Sequence, residues 1–202
     1  MMVDNTNLTR EINSEQGFIQ SAFTNTNINS DIRNRLLEYS FIKCVVLFQQ
    51  FISQCFEEYA SGGSSIKGYT PDRQLAFSSP EHLHSFLGML KKGFNVDVLE
   101  GGIKDYSKHI FVLGKDPFAL IFQDSTLWGN YNKARIIRNY IMHQSDSSTR
   151  DYYDKILGGD NTKPIVPHQD LLRVEGSASL YTKLTNDLKN ISEILVDPRP
   201  YF

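Results

Sequence analysis

The apolar pattern from Asp31 to Phe56 limits the possible folds more than any other stretch of the chain. Ile32, Leu36, Leu37, Ile42, Val45, Val46, Phe48, Phe51, Ile52, Cys55 and Phe56 recur there at helical spacing. They cover more than one stripe of a helix surface, so this helix is expected at the centre, contacted from several sides. Ser30 offers an N-cap, and Gly62-Gly63 a stop. Lys43, Gln49, Gln50 and Gln54 interrupt the most apolar run, Phe41 to Phe56. That run is then too short and too polar to span a membrane, and no membrane association is expected.

Other helices can be placed around this one. Ser79-Pro80-Glu81 combines an N-cap, a proline at the first helical position and an acid in the first turn. It opens a helix expected to run to about Lys92. Asp124 or Ser125 caps another, over 126–144. Ser148, with Asp151 three residues on, resembles a capping box and opens a short helix over 149–157, stopped by Gly158-Gly159. After a loop over 160–170 and a short extended piece at Leu171 to Val174, Ser177 opens a last amphipathic helix over 178–195. Residues 1–29 are rich in Asn and Thr and read as a loosely attached segment, with one short helix at 14–24. Residues 94–123 are the least regular. Val96, Val98 and Leu99 suit a short strand or a loop, Asp105 to Leu113 a helix, and Lys115-Asp116-Pro117 a turn. The fold class is therefore all-α: a single domain over 1–202, a bundle of four to six helices with a partly irregular insertion around 94–123.

Composition sets limits on function. The 202 residues carry a formal charge of −2, so no overall basic excess advertises nucleic acid, and an RNA-acting protein of this kind must rely on a local positive site. Cys44 and Cys55 are eleven residues apart on one predicted helix, too far for a disulfide, which fits a reduced intracellular, cytoplasmic protein. The first residues have neither the basic region nor the apolar core of a signal peptide. His82 and His84 are two apart and so do not share a helical face, which argues against a metal pair. The glycines at 101, 102 and 114 lack the spacing of a phosphate-binding fingerprint. No metal and no cofactor is expected.

The stretch with chemistry is Arg135 to Gln144, Arg-Ile-Ile-Arg-Asn-Tyr-Ile-Met-His-Gln. On a helix, Ala134, Ile137 and Ile141 form an apolar face flanked by Ile136 and Tyr140. Arg138 and His143 fall on opposite rims of the polar arc, about 140° apart, with Arg135 and Asn139 between them. Asn139 and His143, four apart, are neighbours. An amphipathic helix with a solvated back has the same pattern. Against that reading, histidine has the ordinary pKa nearest neutrality, and arginine is a permanent cation whose fork fits phosphate. A general acid/base beside a phosphate clamp is a minimal kit for cleaving RNA without a metal. Trp128 and Tyr131 project into the same arc. Aromatic residues exposed there would stack on a base or be covered by a second copy of the helix, and their enrichment at interfaces favours the second.

Arg138-Asn139-Tyr140-Ile141-Met142-His143 resembles the Arg-polar-x-x-x-His motif of the HEPN superfamily (higher eukaryotes and prokaryotes nucleotide-binding domains). The local match covers Leu127 to His143, and the helix order fits over about three quarters of the chain. With nine Arg and five His, chance alone gives an Arg-x4-His about 0.2 times in a chain of this length. The resemblance implies a HEPN-like helical bundle and a metal-independent endoribonuclease, of the toxin or anti-phage abortive-infection kind. It also implies a homodimer through helix 126–144, in which paired motifs build a composite site. His143 would be the general acid or base, Arg138 the phosphate clamp, and Asn139 an orienting or phosphate-binding group; Arg135, Trp128 and Tyr131 would serve RNA binding or the dimer interface. Products would carry a 2′,3′-cyclic phosphate and a 5′-hydroxyl, and an antitoxin or defence-system partner is in keeping with the group. The alternative is a non-catalytic HEPN-like nucleic-acid- or nucleotide-binding or dimerisation module; an unrelated helical domain is a third reading. One subgroup, the partners of small nucleotidyltransferases, carries a tyrosine two residues after the motif histidine. Ser145 stands there in this chain, so the resemblance does not extend to that subgroup.

Overall fold

The computed structural model describes residues 2–90 and 101–202. The expected strand or loop at Val96 to Leu99, and the expected helix end near Lys92, lie outside these residues. The described chain is all-α. It forms α1 (Thr6–Thr24), α2 (Ser30–Ala60), α3 (Pro80–Leu90), α4 (Gly101–Ile110), α5 (Pro117–Gln123), α6 (Ser125–His143), α7 (Asp146–Lys155), α8 (Pro167–Leu172) and α9 (Leu180–Val196). One antiparallel pair, β1 (Val174–Glu175) with β2 (Ala178–Ser179), precedes α9. The chain forms two compact units, one of residues 1–7, 48–128 and 190–202, the other of 8–47 and 129–189.

In the first unit the core is aromatic. Phe118 stacks on Phe111 at 5.7 Å between ring centroids and meets Phe56 edge-on at 5.5 Å. Tyr59 packs edge-on against Tyr69 and donates its hydroxyl to the Leu195 carbonyl at 2.6 Å. Asp116, expected only in a turn, instead caps α5: its carboxylate accepts from Phe118 N at 2.9 Å, and Pro117 takes the first helical position. The Ser79 hydroxyl accepts from His82 N at 3.2 Å, so α3 starts where its sequence signature puts it. Gly62, at φ 93°, ends α2, and Arg73 Nη1 donates to the Ala60 carbonyl at 2.9 Å to close that terminus.

The second unit contains the motif. Here α1 is a regular helix of 19 residues that buries Leu8, Ile12, Ile19 and Ala22, not a loose segment with a short helix at 14–24. Those four residues recur at helical spacing, while Phe18, the bulky side chain that drew attention in the sequence, is exposed. Lys43 of α2 bridges Glu11 and Glu15 of α1 at 3.3 and 2.7 Å. Asn29, not Ser30, caps α2, its side chain accepting from Ile32 N at 2.9 Å. Leu171, expected in an extended piece, is buried in α8. Gly176, at φ 75°, turns the β1–β2 hairpin, and Ser179 rather than Ser177 caps α9 by accepting from Thr182 N at 3.2 Å.

By length and composition α2 also suits a membrane span, as the core helix of a globular protein can. Both cysteines lie on α2 and are buried free thiols. Burial pushes the Cys44 thiol up to about 12 and Cys55 well above its ordinary value. The folded chain therefore favours the neutral thiol. That contribution is fully present below the unfolded thiol's pKa and is lost as pH climbs toward about 12. Two outcomes are expected: native protein resists thiol-specific labelling that denatured protein takes up, and its stability declines steadily above the ordinary cysteine pKa. Rapid labelling of both thiols in native protein would contradict the burial.

Candidate functional site

The motif lies at the C-terminal end of α6 and continues into α7 through one residue. Asp124 starts α6, its carboxylate accepting from Thr126 N at 2.8 Å and Leu127 N at 2.9 Å. Tyr131, Ala134 and Ile137 are buried, and His143 is exposed in the last turn. Gln144 follows at φ 44°, the one non-glycine residue with positive φ among the described residues. This left-handed residue ends α6 and turns the chain directly into Ser145, the N-cap of α7.

The start of α7 is therefore earlier than the sequence suggests. The Ser145 hydroxyl accepts from Ser148 N at 3.3 Å, and the buried Ser148 hydroxyl donates to the Ser145 carbonyl at 2.9 Å. The serine cluster is thus a cap, not a break before a helix at 149. Tyr152 fixes the rest of α7. Its ring lies 5.0 Å from that of Tyr140, and its hydroxyl donates to the Asp170 carboxylate at 2.8 Å. Burial, with Asp170 alongside, keeps that phenol protonated far into the alkaline range.

Between α6 and α7 lies a cleft of about 190 Å³. Arg135, Asn139 and His143 line it from α6, and Ser145, Ser147 and Asp151 from the α7 side. Two of the three expected catalytic residues, Asn139 and His143, thus share one cleft. Arg138 is not among its lining residues. Its Nη1 instead donates to Asn139 Oδ1 at 2.7 Å, while its Nε is buried without a hydrogen bond. The arginine among the lining residues is Arg135. Burial pulls its pKa below the usual arginine range; Asp151 opposes that shift and Arg138 adds to it. A mixed cation, amide and imidazole lining can hold an anion and move a proton.

Of the two aromatic residues, Tyr131 departs from the expectation. Tyr131 is only 3% exposed, a core residue in this chain rather than a platform on the polar arc. Trp128 is half-buried, edge-on to Phe122 at 4.8 Å, with Lys104 Nζ 5.9 Å from its ring. Periodicity put both on the arc with Arg135, but that arc is solvated over only part of the helix. Among the described residues no group of three or more His, Cys, Asp or Glu could hold a metal ion. His84 pairs with Glu57 at 2.9 Å instead.

Gln144 gives a direct test of this geometry. A left-handed residue with a Cβ costs about 1–2 kcal/mol, which glycine avoids at some expense in unfolded-chain entropy. Gln144→Gly is expected to raise stability by about 0.5–1 kcal/mol, read as a higher thermal midpoint by circular dichroism. A lower midpoint would count against the left-handed joint. Comparison of the chain with family models, with curated proteins and with solved structures finds no match.

Proposed function

We propose that this chain is a metal-independent endoribonuclease of HEPN type, acting through the cleft between α6 and α7. The observation that carries the reading is the sharing of that cleft by His143, Asn139 and Arg135, with Arg138 Nη1 donating to Asn139 Oδ1 at 2.7 Å. In the proposed step His143 takes the proton of a ribose 2′-hydroxyl, and the freed oxygen attacks the adjacent phosphorus. The bond from phosphorus to the 5′-oxygen breaks, and that oxygen leaves with a proton. A 2′,3′-cyclic phosphate and a 5′-hydroxyl result. Arg135 offsets the charge that builds on the phosphate. Because Asn139 Oδ1 is held by Arg138, its amide NH2 is the end that can donate to a phosphate oxygen.

One imidazole cannot at once accept the first proton and deliver the second. A two-fold copy of the motif helix supplies a second His143, and with it separate acid and base. A role as a toxin or anti-phage effector rests on the family resemblance alone. The second reading, a non-catalytic HEPN-like binding or dimerisation module, is favoured by one observation. Asp151 lines the same cleft as Arg135 and acts on its charge, so an RNA phosphate would compete with a carboxylate.

The test is incubation of purified protein with single-stranded RNA in EDTA, followed by analysis of product ends. Cleavage leaving 2′,3′-cyclic phosphates is expected. RNA retained but uncut would support the binding module, and cleavage only on addition of a divalent metal would overturn the proposed chemistry.

A further inference from the structure

In the unit that does not contain the α6–α7 cleft, α4 and α5 enclose a second cavity, of about 400 Å³. The sequences of the two helices explain its character. On the α4 side the lining residues are Lys104, Ser107, Lys108 and Phe111; on the α5 side they include Ala119, Leu120 and Gln123. Each set follows the spacing of one helical face, so the cavity runs as a groove along both. One wall carries two ammonium groups a turn apart, while the other is mostly apolar. Leu113, also among the lining residues, is 97% exposed.

We propose that this groove binds a small amphipathic organic acid, its apolar body along Leu120 and Phe111 and its acid group between Lys104 and Lys108. The volume falls in the range of small-molecule sites and is too small for a docked helix. The charge on the rim selects an anion. Lys104 Nζ lies 5.9 Å from the Trp128 ring, and Lys108 pairs at 3.4 Å with the solvent-exposed Asp105. Asp116 also lines the groove: its Oδ1 caps α5 and its Oδ2 is buried without a hydrogen bond. Burial raises its pKa, which works against a charge on the groove's floor, and the acid group is assigned to the lysine side. The proposal does not depend on the nuclease reading.

The test uses the fluorescent probe anilinonaphthalene sulfonate on the full chain, with decanoate and decylamine as competitors. One saturable site is expected, from which decanoate displaces the probe and decylamine does not. Lys104→Gln with Lys108→Gln, both surface changes, should weaken decanoate roughly threefold to tenfold. Ala119→Trp, which fills the groove, should abolish binding in protein that keeps its helical circular dichroism. Absence of a saturable site, equal displacement by the amine, or unchanged decanoate affinity in the lysine variant would each overturn the assignment. The lysine variant decides the matter even where Ala119→Trp fails to fold.

Discussion

Replacing His143 by alanine is expected to lower RNA cleavage in EDTA by about 10²–10⁴-fold, the usual contribution of a positioned general acid or base. The side chain is exposed at the end of α6, so its removal should leave the stability within about 0.5 kcal/mol of wild type. Loss of cleavage with the fold intact is therefore the informative result. Equal cleavage by wild type and His143→Ala would trace the activity to a contaminant or to another site and sink the assignment. The two arginines should separate. Arg135→Gln removes the cation from the cleft lining and should cost about 10²–10³-fold. Arg138→Gln should act more weakly, through release of Asn139. The reverse order would mean that Arg138 meets the phosphate in an arrangement completed by a second copy.

The largest effect on stability is expected in the aromatic core of the other unit. Phe118 is fully buried, stacked on Phe111 and edge-on to Phe56. Phe118→Ala should cost about 3–5 kcal/mol, from lost transfer energy and the cavity left behind. Against a total stability of about 5–15 kcal/mol, that shift is large in a denaturant titration. Leu113→Ala, at a residue that is 97% exposed, should stay within about 0.5 kcal/mol. A loss below about 1 kcal/mol at Phe118 would mean that α5 is not packed as described.

The helices that could be read from sequence are those with a long pattern or a local cap. Asp31 to Phe56 shows the first, although its cap is Asn29 rather than Ser30, and the Ser79-Pro80-Glu81 start shows the second. Asp116-Pro117 has the same kind of signature as Ser79-Pro80, yet it reads as a turn. The helix is only seven residues long, and most are apolar, so no amphipathic period marks it. No local signal could reveal α8. Its proline start lacks a side-chain cap of its own, and Glu38, 130 residues away in the chain, accepts from His168 N at 3.2 Å. In α1, polar residues dominate, and four small or aliphatic positions carry the packing. At the site, helical projection correctly made Asn139 and His143 neighbours. It could not say which arginine faces them, because an arginine side chain is long enough to turn away from the arc its Cα occupies. The Arg138 bond to Asn139 is a choice of side-chain conformation that no periodicity encodes.

Gln144 has a consequence for how the cleft tolerates change in length. The backbone dihedrals of Gln144 and of the extended Ser145 cap set the bearing of Asp151 and the serines relative to Arg135 and His143. Adding or deleting one residue here would swing the opposing wall by roughly a quarter turn or more while leaving both helices able to form. Length variation is usually best tolerated between helices; in this chain, that junction is where it would disassemble the cleft most completely.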